Sequence, residues 1–136
     1  QQHLKESDVA SWRGIAFEEV CLLHISQIKY ALHIGAVSSQ ESSLIVKGSE
    51  EADGMQIDLL IDRADDAVNV CEMKFYKAPY AVTKEYAQVL NSRLQALEEK
   101  NPTKTFLLTY VGNSELVSNE YSDIFRASVT LDDLFI

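Results

Sequence analysis

Three charged residues on a predicted β-hairpin, Asp58, Glu72 and Lys74, are the strongest candidates for chemistry in this sequence. Side chains alternate between the two faces of a strand, so every second residue shares a face. A short hairpin connection over Arg63–Ala67 places Asp58 directly opposite Glu72. The full predicted register pairs Asp62 with Val68, Leu60 with Val70, Asp58 with Glu72, and Gln56 with Lys74.

The predicted pairing of Asp58 with Glu72 is unfavourable by itself, because like charges directly opposite each other destabilise a sheet. A bound divalent cation would offset the repulsion, since hard cations bind several carboxylate oxygens. Lys74 lies one pleat beyond Glu72 and brings a third charge over the same place. The alternative is a solvated hairpin face that carries a surface salt bridge.

A fourth candidate, Glu18, lies on the first predicted helix, which runs from Val9 to about Leu32. It interrupts an apolar row at helical spacing, and a buried carboxylate is costly unless it is paired or bound to a metal. If this row packs on the sheet, we expect Glu18 to point toward Asp58 and Glu72. The alternative is a surface carboxylate at the edge of the buried stripe. The row consists of Ile15, Glu18, Leu22 and Ile25.

Together these residues resemble the PD-(D/E)xK nuclease superfamily, in which an Asp on a hairpin is followed by (D/E)-x-K. Here Asp58 is followed by Glu72-Met73-Lys74, and the preceding helix carries Gly14-Ile15-Ala16-Phe17-Glu18, which matches the G-x-x-F-E of that superfamily. The sequence departs from the pattern at Ile57, where the motif has proline. More specifically, four segments are similar to the C-terminal domain of a bacterial AAA-type P-loop ATPase family: WRGIAFEEVCLLHISQIK, QIDLLIDR, VCEMKF and TLDDLF.

The resemblance implies a restriction-endonuclease-like three-layer α/β sandwich, with a central mixed sheet flanked by helices. It implies that Asp58 and Glu72 ligate Mg²⁺ or Mn²⁺ together with the backbone carbonyl of Met73, and that Glu18 contributes directly or through water. Lys74 would orient the attacking water or stabilise negative charge on the phosphate. The implied catalytic residues are thus Glu18, Asp58, Glu72 and Lys74.

Two glutamines are secondary candidates. Gln56 would lie beside Lys74 in the predicted register, and Gln88 lies on the polar face of the second predicted helix, where related nucleases place a glutamine. For each of them the alternative is an ordinary polar residue without a role in the site.

The elements that must position these residues follow from hydrophobic periodicity and from breaks in it. The order of helix, three strands, helix, strand and short strand predicts an α/β sandwich around a mixed sheet. Gly35 is expected at the C′ position that ends the first helix. The second helix has a predicted apolar stripe of Val82, Tyr86, Leu90, Leu94 and Leu97. The other predicted elements are strands Val37–Val46, Met55–Asp62, Ala67–Phe75, Thr105–Val111 and Ala127–Thr130, a polar loop Lys47–Gly54, helix Thr83–Lys100, and a closing helical turn Leu131–Phe135.

The length of 136 residues is that of one domain, so we treat residues 1–136 as a single nuclease-like domain. The resemblance implies that it is the C-terminal fragment of a larger ATPase. No apolar run approaches the length of a membrane span, which predicts no membrane partner. Two cysteines, Cys21 and Cys71, cannot build a disulfide framework, so a reducing, cytoplasmic setting is expected. Both cysteines are expected to be buried.

Two function classes follow. The first is an Mg²⁺-dependent nuclease that hydrolyses phosphodiester bonds in DNA or RNA, with the N-terminal ATPase module of the same chain as its partner. The second is a catalytically silent nuclease-fold module for protein interaction or regulation of the ATPase. The acidic pair with its lysine favours the enzyme. The net charge of −9 favours the silent module, because nucleic-acid affinity rests largely on Lys and Arg. A local basic rim remains compatible with the enzyme: Lys74, Lys77, Lys84 and Arg93.

Overall fold

The structure, a computed structural model, describes residues 20–47, 55–75 and 78–130. The start of the first predicted helix, most of the predicted polar loop Lys47–Gly54, and the predicted closing turn Leu131–Phe135 lie outside these residues. After a helical segment at 20–23, the elements are α1 (Ile25–Ala31), β1 (Ser39–Lys47), β2 (Met55–Arg63), β3 (Ala67–Lys74), α2 (Lys84–Lys100), β4 (Thr105–Gly112), a 3₁₀ turn (Ser122–Ile124) and β5 (Ala127–Thr130).

The strands form one five-stranded sheet in the order β1-β2-β3-β4-β5. The first three strands pair antiparallel, which is possible because a short turn joins β2 to β3. The pairs β3–β4 and β4–β5 are parallel, and α2 lies in the connection between β3 and β4. The predicted α/β class with a mixed sheet is therefore confirmed.

Alternating residues of the sheet face two separate hydrophobic clusters, because successive side chains on a strand point to opposite faces. One face packs against the helical segment 20–23, α1 and the residues just after α1, while the other packs against α2. The first cluster includes Cys21, Ile28, Ile34, Leu59, Ile61, Cys71, Val111 and Val129. The second includes Val68, Val70, Tyr80, Val82, Ala87, Leu90, Leu108, Tyr110 and Phe125. The two cysteines are buried as predicted.

The first helix is interrupted at His24 within the part that the structure describes. The His24 ring contacts the Val20 carbonyl, with Nδ1 2.7 Å from that oxygen. The most deeply buried residues of this region are Cys21 and Ile28, which are two turns apart. The predicted row through Leu22 and Ile25 is only partly buried, whereas Ile28, which the sequence places in a second apolar row with Val20 and Leu32, is fully buried.

The end of α1 differs from the prediction that Gly35 supplies its C′ residue. His33 occupies that position with φ of 63°. The Ile34 N–H donates to the Lys29 carbonyl at 2.9 Å, and the His33 N–H donates to the Tyr30 carbonyl at 3.0 Å. These two bonds form a Schellman motif, in which histidine tolerates the left-handed conformation better than most non-glycine residues. The prediction for Gly35 was therefore wrong.

Helix α2 begins at a capped end and packs along its predicted stripe. The Thr83 hydroxyl accepts from the Tyr86 N–H at 3.1 Å, which satisfies one of the open donors of the first turn. Asn101 ends the helix. The stripe residues Val82, Tyr86, Leu90, Leu94 and Leu97 all belong to the cluster on the α2 face of the sheet.

In the described ranges, no helix is long and apolar enough to cross a membrane.

Candidate functional site

The predicted register of the β2–β3 hairpin is confirmed at its decisive pair. Asp58 lies opposite Glu72, Leu60 opposite Val70, and Asp62 opposite Val68. The described ladder ends at Asp58–Glu72 and does not include the predicted Gln56–Lys74 pair. Beyond that point the flanking strands supply the partners: Gln56 pairs with Val46, and Lys74 pairs with Gly112.

Arg63 contacts both the hairpin turn and β3. Its Nε and Nη2 donate to the two carboxylate oxygens of Asp65 at 3.0 and 2.7 Å. Its Nη1 donates to the Asn69 side chain of β3 at 3.1 Å. The hydrogen bond from Arg63 lowers the pKa of the Asp65 carboxyl below its ordinary value. Asp66 adopts φ of 66°, a conformation that aspartate reaches more easily than most residues.

Glu72 lies on the face of β3 that packs against α2 and has no exposed surface. Its Oε1 accepts from the Tyr86 hydroxyl at 2.9 Å, and its Oε2 lies 3.4 Å from Nη1 of Arg93. A buried carboxylate requires such partners, because removing a charge from water without compensation is costly. The alternative of a solvated hairpin face is therefore wrong for Glu72.

Lys74 is half-buried and reaches the same helix through its ammonium group. Its Nζ lies 4.2 Å from the centre of the Tyr86 ring and 5.7 Å from the centre of the Tyr80 ring. Tyr80 contacts Tyr86 edge-on and stacks on Tyr110, with ring centres 6.4 and 5.9 Å apart. The lysine thus lies over two rings of a packed group of tyrosines, and both rings are within cation–π range.

The environment of Tyr86 shifts the pKa of its phenol. Burial is the main reason that its pKa lies far above the ordinary value, and the neighbouring Glu72 carboxylate raises it further. The phenol therefore remains protonated and donates its hydrogen bond to Glu72.

The other predicted site residues are placed less completely. Glu18 lies outside the described residues, and the side chains of Asp58 and Gln56 are likewise outside the described set. Met73 is partly buried against the cluster on the opposite face, and its carbonyl as a ligand stays a prediction. Gln88 is exposed on α2, the helix from which Tyr86 and Arg93 contact Glu72.

Sequence reasoning missed the roles of two residues on α2. Tyr86 was assigned to the apolar stripe, and Arg93 was assigned to a basic rim that would contact nucleic acid. The signal was present, because Arg93 lies at helical spacing within the row that contains Tyr86, Leu90 and Leu97. A charged residue in an apolar row predicts a buried partner of opposite sign, which is the argument that singled out Glu18.

A hard divalent cation at Glu72 would share the carboxylate with partners that it already has. Oε1 accepts from the Tyr86 hydroxyl, and Oε2 lies beside Arg93. Carboxylate oxygens are the ligands that Mg²⁺ and Mn²⁺ prefer. Among the residues searched within the described ranges, no group of three or more His, Cys, Asp or Glu comes together. A cation at Glu72 would therefore need the carboxylates predicted at Asp58 and Glu18.

Comparisons of the chain with the profiles of known protein families, with curated proteins and with solved structures give no match. The likeness to PD-(D/E)xK nucleases accordingly rests on the motif residues and on the order of the elements.

Proposed function

We propose that this chain is a divalent-metal-dependent phosphodiester hydrolase of the cytoplasm, with a restriction-endonuclease-like fold, appended to an ATPase and acting on DNA or RNA. The observation that carries the proposal is the ladder pair Asp58–Glu72, with Lys74 following Glu72 on the same face of β3. Two residues with carboxylate side chains thus lie opposite each other at the last described pair of the β2–β3 ladder. The positively charged Lys74 follows two residues later on β3. A five-stranded mixed sheet with helical residues on both faces supports the same proposal.

The residues of this chain divide the work of the proposed reaction. Asp58 and Glu72, with Glu18 and the Met73 carbonyl, would hold Mg²⁺ or Mn²⁺, which would neutralise charge on the phosphate when bound. Lys74 would orient the attacking water and stabilise the negative charge that develops on the phosphate oxygens. Burial of Glu72 strengthens both effects, because electrostatic interactions are stronger where water is excluded.

A second candidate is the catalytically silent module, and a specific observation favours it. Glu72 already has a cationic partner in Arg93 and a hydroxyl donor in Tyr86, so its charge is balanced without a metal. The same contact turns Arg93 toward Glu72, which weakens the predicted basic rim on a chain of net charge −9. In this case the domain would serve protein interaction or regulation of the ATPase.

Calorimetric titration of chelator-treated protein with Mn²⁺ and Mg²⁺ separates the two candidates. We expect wild type to bind and Asp58→Ala not to bind. Glu98→Ala is the matched control, because Glu98 is an exposed carboxylate at the end of α2. Binding to the folded state alone should raise the free energy of unfolding by about 2.7 kcal/mol at a hundredfold excess over Kd.

A cleavage assay then tests the chemistry with single-stranded DNA, duplex DNA and RNA. It should use both this chain and the longer ATPase-containing protein that the resemblance implies. Metal-dependent cleavage that is lost in Asp58→Ala supports the hydrolase. An absence of both metal binding and cleavage in both proteins would reject the hydrolase in favour of the silent module.

A further inference from the structure

Tyr86 contacts both charged residues of the Glu72-Met73-Lys74 segment with different parts of one side chain. Its hydroxyl donates to Oε1 of Glu72 at 2.9 Å. Its ring centre lies 4.2 Å from Nζ of Lys74. A polar contact and a cation–π contact from the same tyrosine thus connect the carboxylate to the ammonium group.

Core packing by itself does not account for a tyrosine at this position. The apolar stripe of α2 requires only a large hydrophobic side chain, which phenylalanine or leucine would also provide. A hydroxyl in a largely buried place is unfavourable unless it has a hydrogen-bond partner, and Glu72 provides one. The ring also attracts an ammonium group that lies over its face, and Lys74 lies within that range.

The surroundings of Tyr86 restrict where its ring can lie. Its backbone N–H is held by the Thr83 cap at 3.1 Å in the first turn of α2. Its ring meets the Tyr80 ring edge-on at an interplanar angle of 90°. A side chain that is fixed at both its backbone and its ring can impose its own position on the groups that it contacts.

We propose that Tyr86 is a positioning residue that sets the geometry of Glu72 and Lys74 for hydrolysis, an inference that rests on the proposed function. The hydroxyl fixes the Glu72 carboxylate, and the ring holds the Lys74 ammonium beside it. The two contacts are separable by substitution. Tyr86→Phe removes the hydroxyl and keeps the ring, whereas Tyr86→Leu removes both.

Nuclear magnetic resonance of the metal-free protein tests the ring contact directly. With ¹³C-labelled lysine, the Hε resonance of Lys74 is assigned by its loss in Lys74→Arg. We expect an upfield ring-current shift that is kept in Tyr86→Phe and strongly reduced in Tyr86→Leu, where only the more distant Tyr80 ring remains. Tyr30→Phe and Tyr30→Leu are the controls, because Tyr30 is 70% exposed, and they should leave the resonance unchanged. An unshifted Lys74 resonance in wild type would overturn the inference.

Titration with Mn²⁺ tests the effect on the site, a readout that a purely structural role would not change. We expect Tyr86→Phe to weaken Mn²⁺ affinity about tenfold, as is typical when a group that orients a metal ligand is removed. The Tyr30 variants should bind like wild type. If wild type binds Mn²⁺ and Tyr86→Phe binds it equally well, the inference about Tyr86 is overturned while the proposed function stands. A wild type that binds no Mn²⁺ would overturn the proposed function, and with it the role of Tyr86 in it.

Discussion

Arg93 of α2 lies 3.4 Å from Glu72 of β3, measured from Nη1 to Oε2. The carboxylate has no exposed surface, whereas 25% of the arginine side chain is exposed. This ion pair joins the helix to the strand of the proposed site across the cluster on the α2 face. The stability of the fold and the proposed chemistry therefore depend on the same carboxylate. The contribution of the ion pair to stability can be isolated only by substituting Glu72 and Arg93 singly and together.

Loss of the arginine should be costly because it leaves a buried charge without its cation. We expect Arg93→Met to lower the free energy of unfolding by about 3 kcal/mol, near the lower limit for broken buried pairs, since the arginine is partly exposed. The additional change Glu72→Gln should recover part of the loss. Urea unfolding of the two single variants and the double variant measures the coupling. Arg126→Met, at an exposed position, should change stability by no more than about 0.5 kcal/mol. Strict additivity of the two changes would contradict the pairing.

Alkaline pH should destabilise the fold through Tyr86. Burial, followed by the Glu72 carboxylate, raises the pKa of Tyr86 above its ordinary value of 10.0. The neutral phenol therefore contributes stability that is fully present below pH 10 and is lost as the pH rises toward the folded pKa. Above pH 10, wild type should lose up to about 1.4 kcal/mol per pH unit more than Tyr86→Phe. Urea unfolding at several pH values measures both slopes. Tyr30→Phe should keep the wild-type slope, and equal slopes for wild type and Tyr86→Phe would contradict the assignment.

Gly112 has no room for a side chain, because a Cβ at this position would overlap the phenol of Tyr110. Gly112 is also the ladder partner of Lys74, so a shift here would reach the proposed site. We expect Gly112→Ala to cost about 1–3 kcal/mol of unfolding free energy in thermal or urea unfolding, the range for overpacking. In a Tyr110→Ala background the same change should cost much less.

Gly35→Ala provides the matched control for Gly112→Ala. A Cβ at Gly35 would find its nearest heavy atom, Tyr30 Cα, at 3.9 Å, which is an ordinary contact. The substitution should be neutral or slightly stabilising, because alanine restricts the unfolded chain more than glycine does. If Gly112→Ala proved as mild as Gly35→Ala, Tyr110 could not be packed over Gly112 as described.

The hairpin could be predicted from the sequence because its constraints are local. Alternation along each strand and a short connection leave few possible registers. The register that pairs Leu60 with Val70 also places Asp58 opposite Glu72. The helix α2 was predictable for the same reason, since its cap at Thr83 and its end at Asn101 lie next to a periodic stripe.

What the sequence did not reveal depends on contacts between distant elements. The pairing of Glu72 with Arg93 requires knowledge of how α2 docks on the sheet, which periodicity alone does not determine. The end of α1 was misplaced because glycine is the commonest left-handed residue, and backbone hydrogen bonds to Lys29 and Tyr30 select His33 instead.

Lys74 is the lysine of the proposed catalytic site. Lys74 would supply positive charge where negative charge develops, so Lys74→Ala should reduce cleavage by about a hundredfold or more. Metal affinity should survive, because lysine is not a ligand, whereas Asp58→Ala should lose both metal and cleavage. Lys100→Ala is the control, because Lys100 is an exposed lysine at the end of α2 and is not part of the predicted basic rim. The measurement is a nicking assay on DNA and RNA with Mg²⁺ or Mn²⁺, in parallel with calorimetric titration of the metal. Cleavage by Lys74→Ala at the wild-type rate would contradict the hydrolase, because the proposed chemistry assigns no other residue of this chain to that charge.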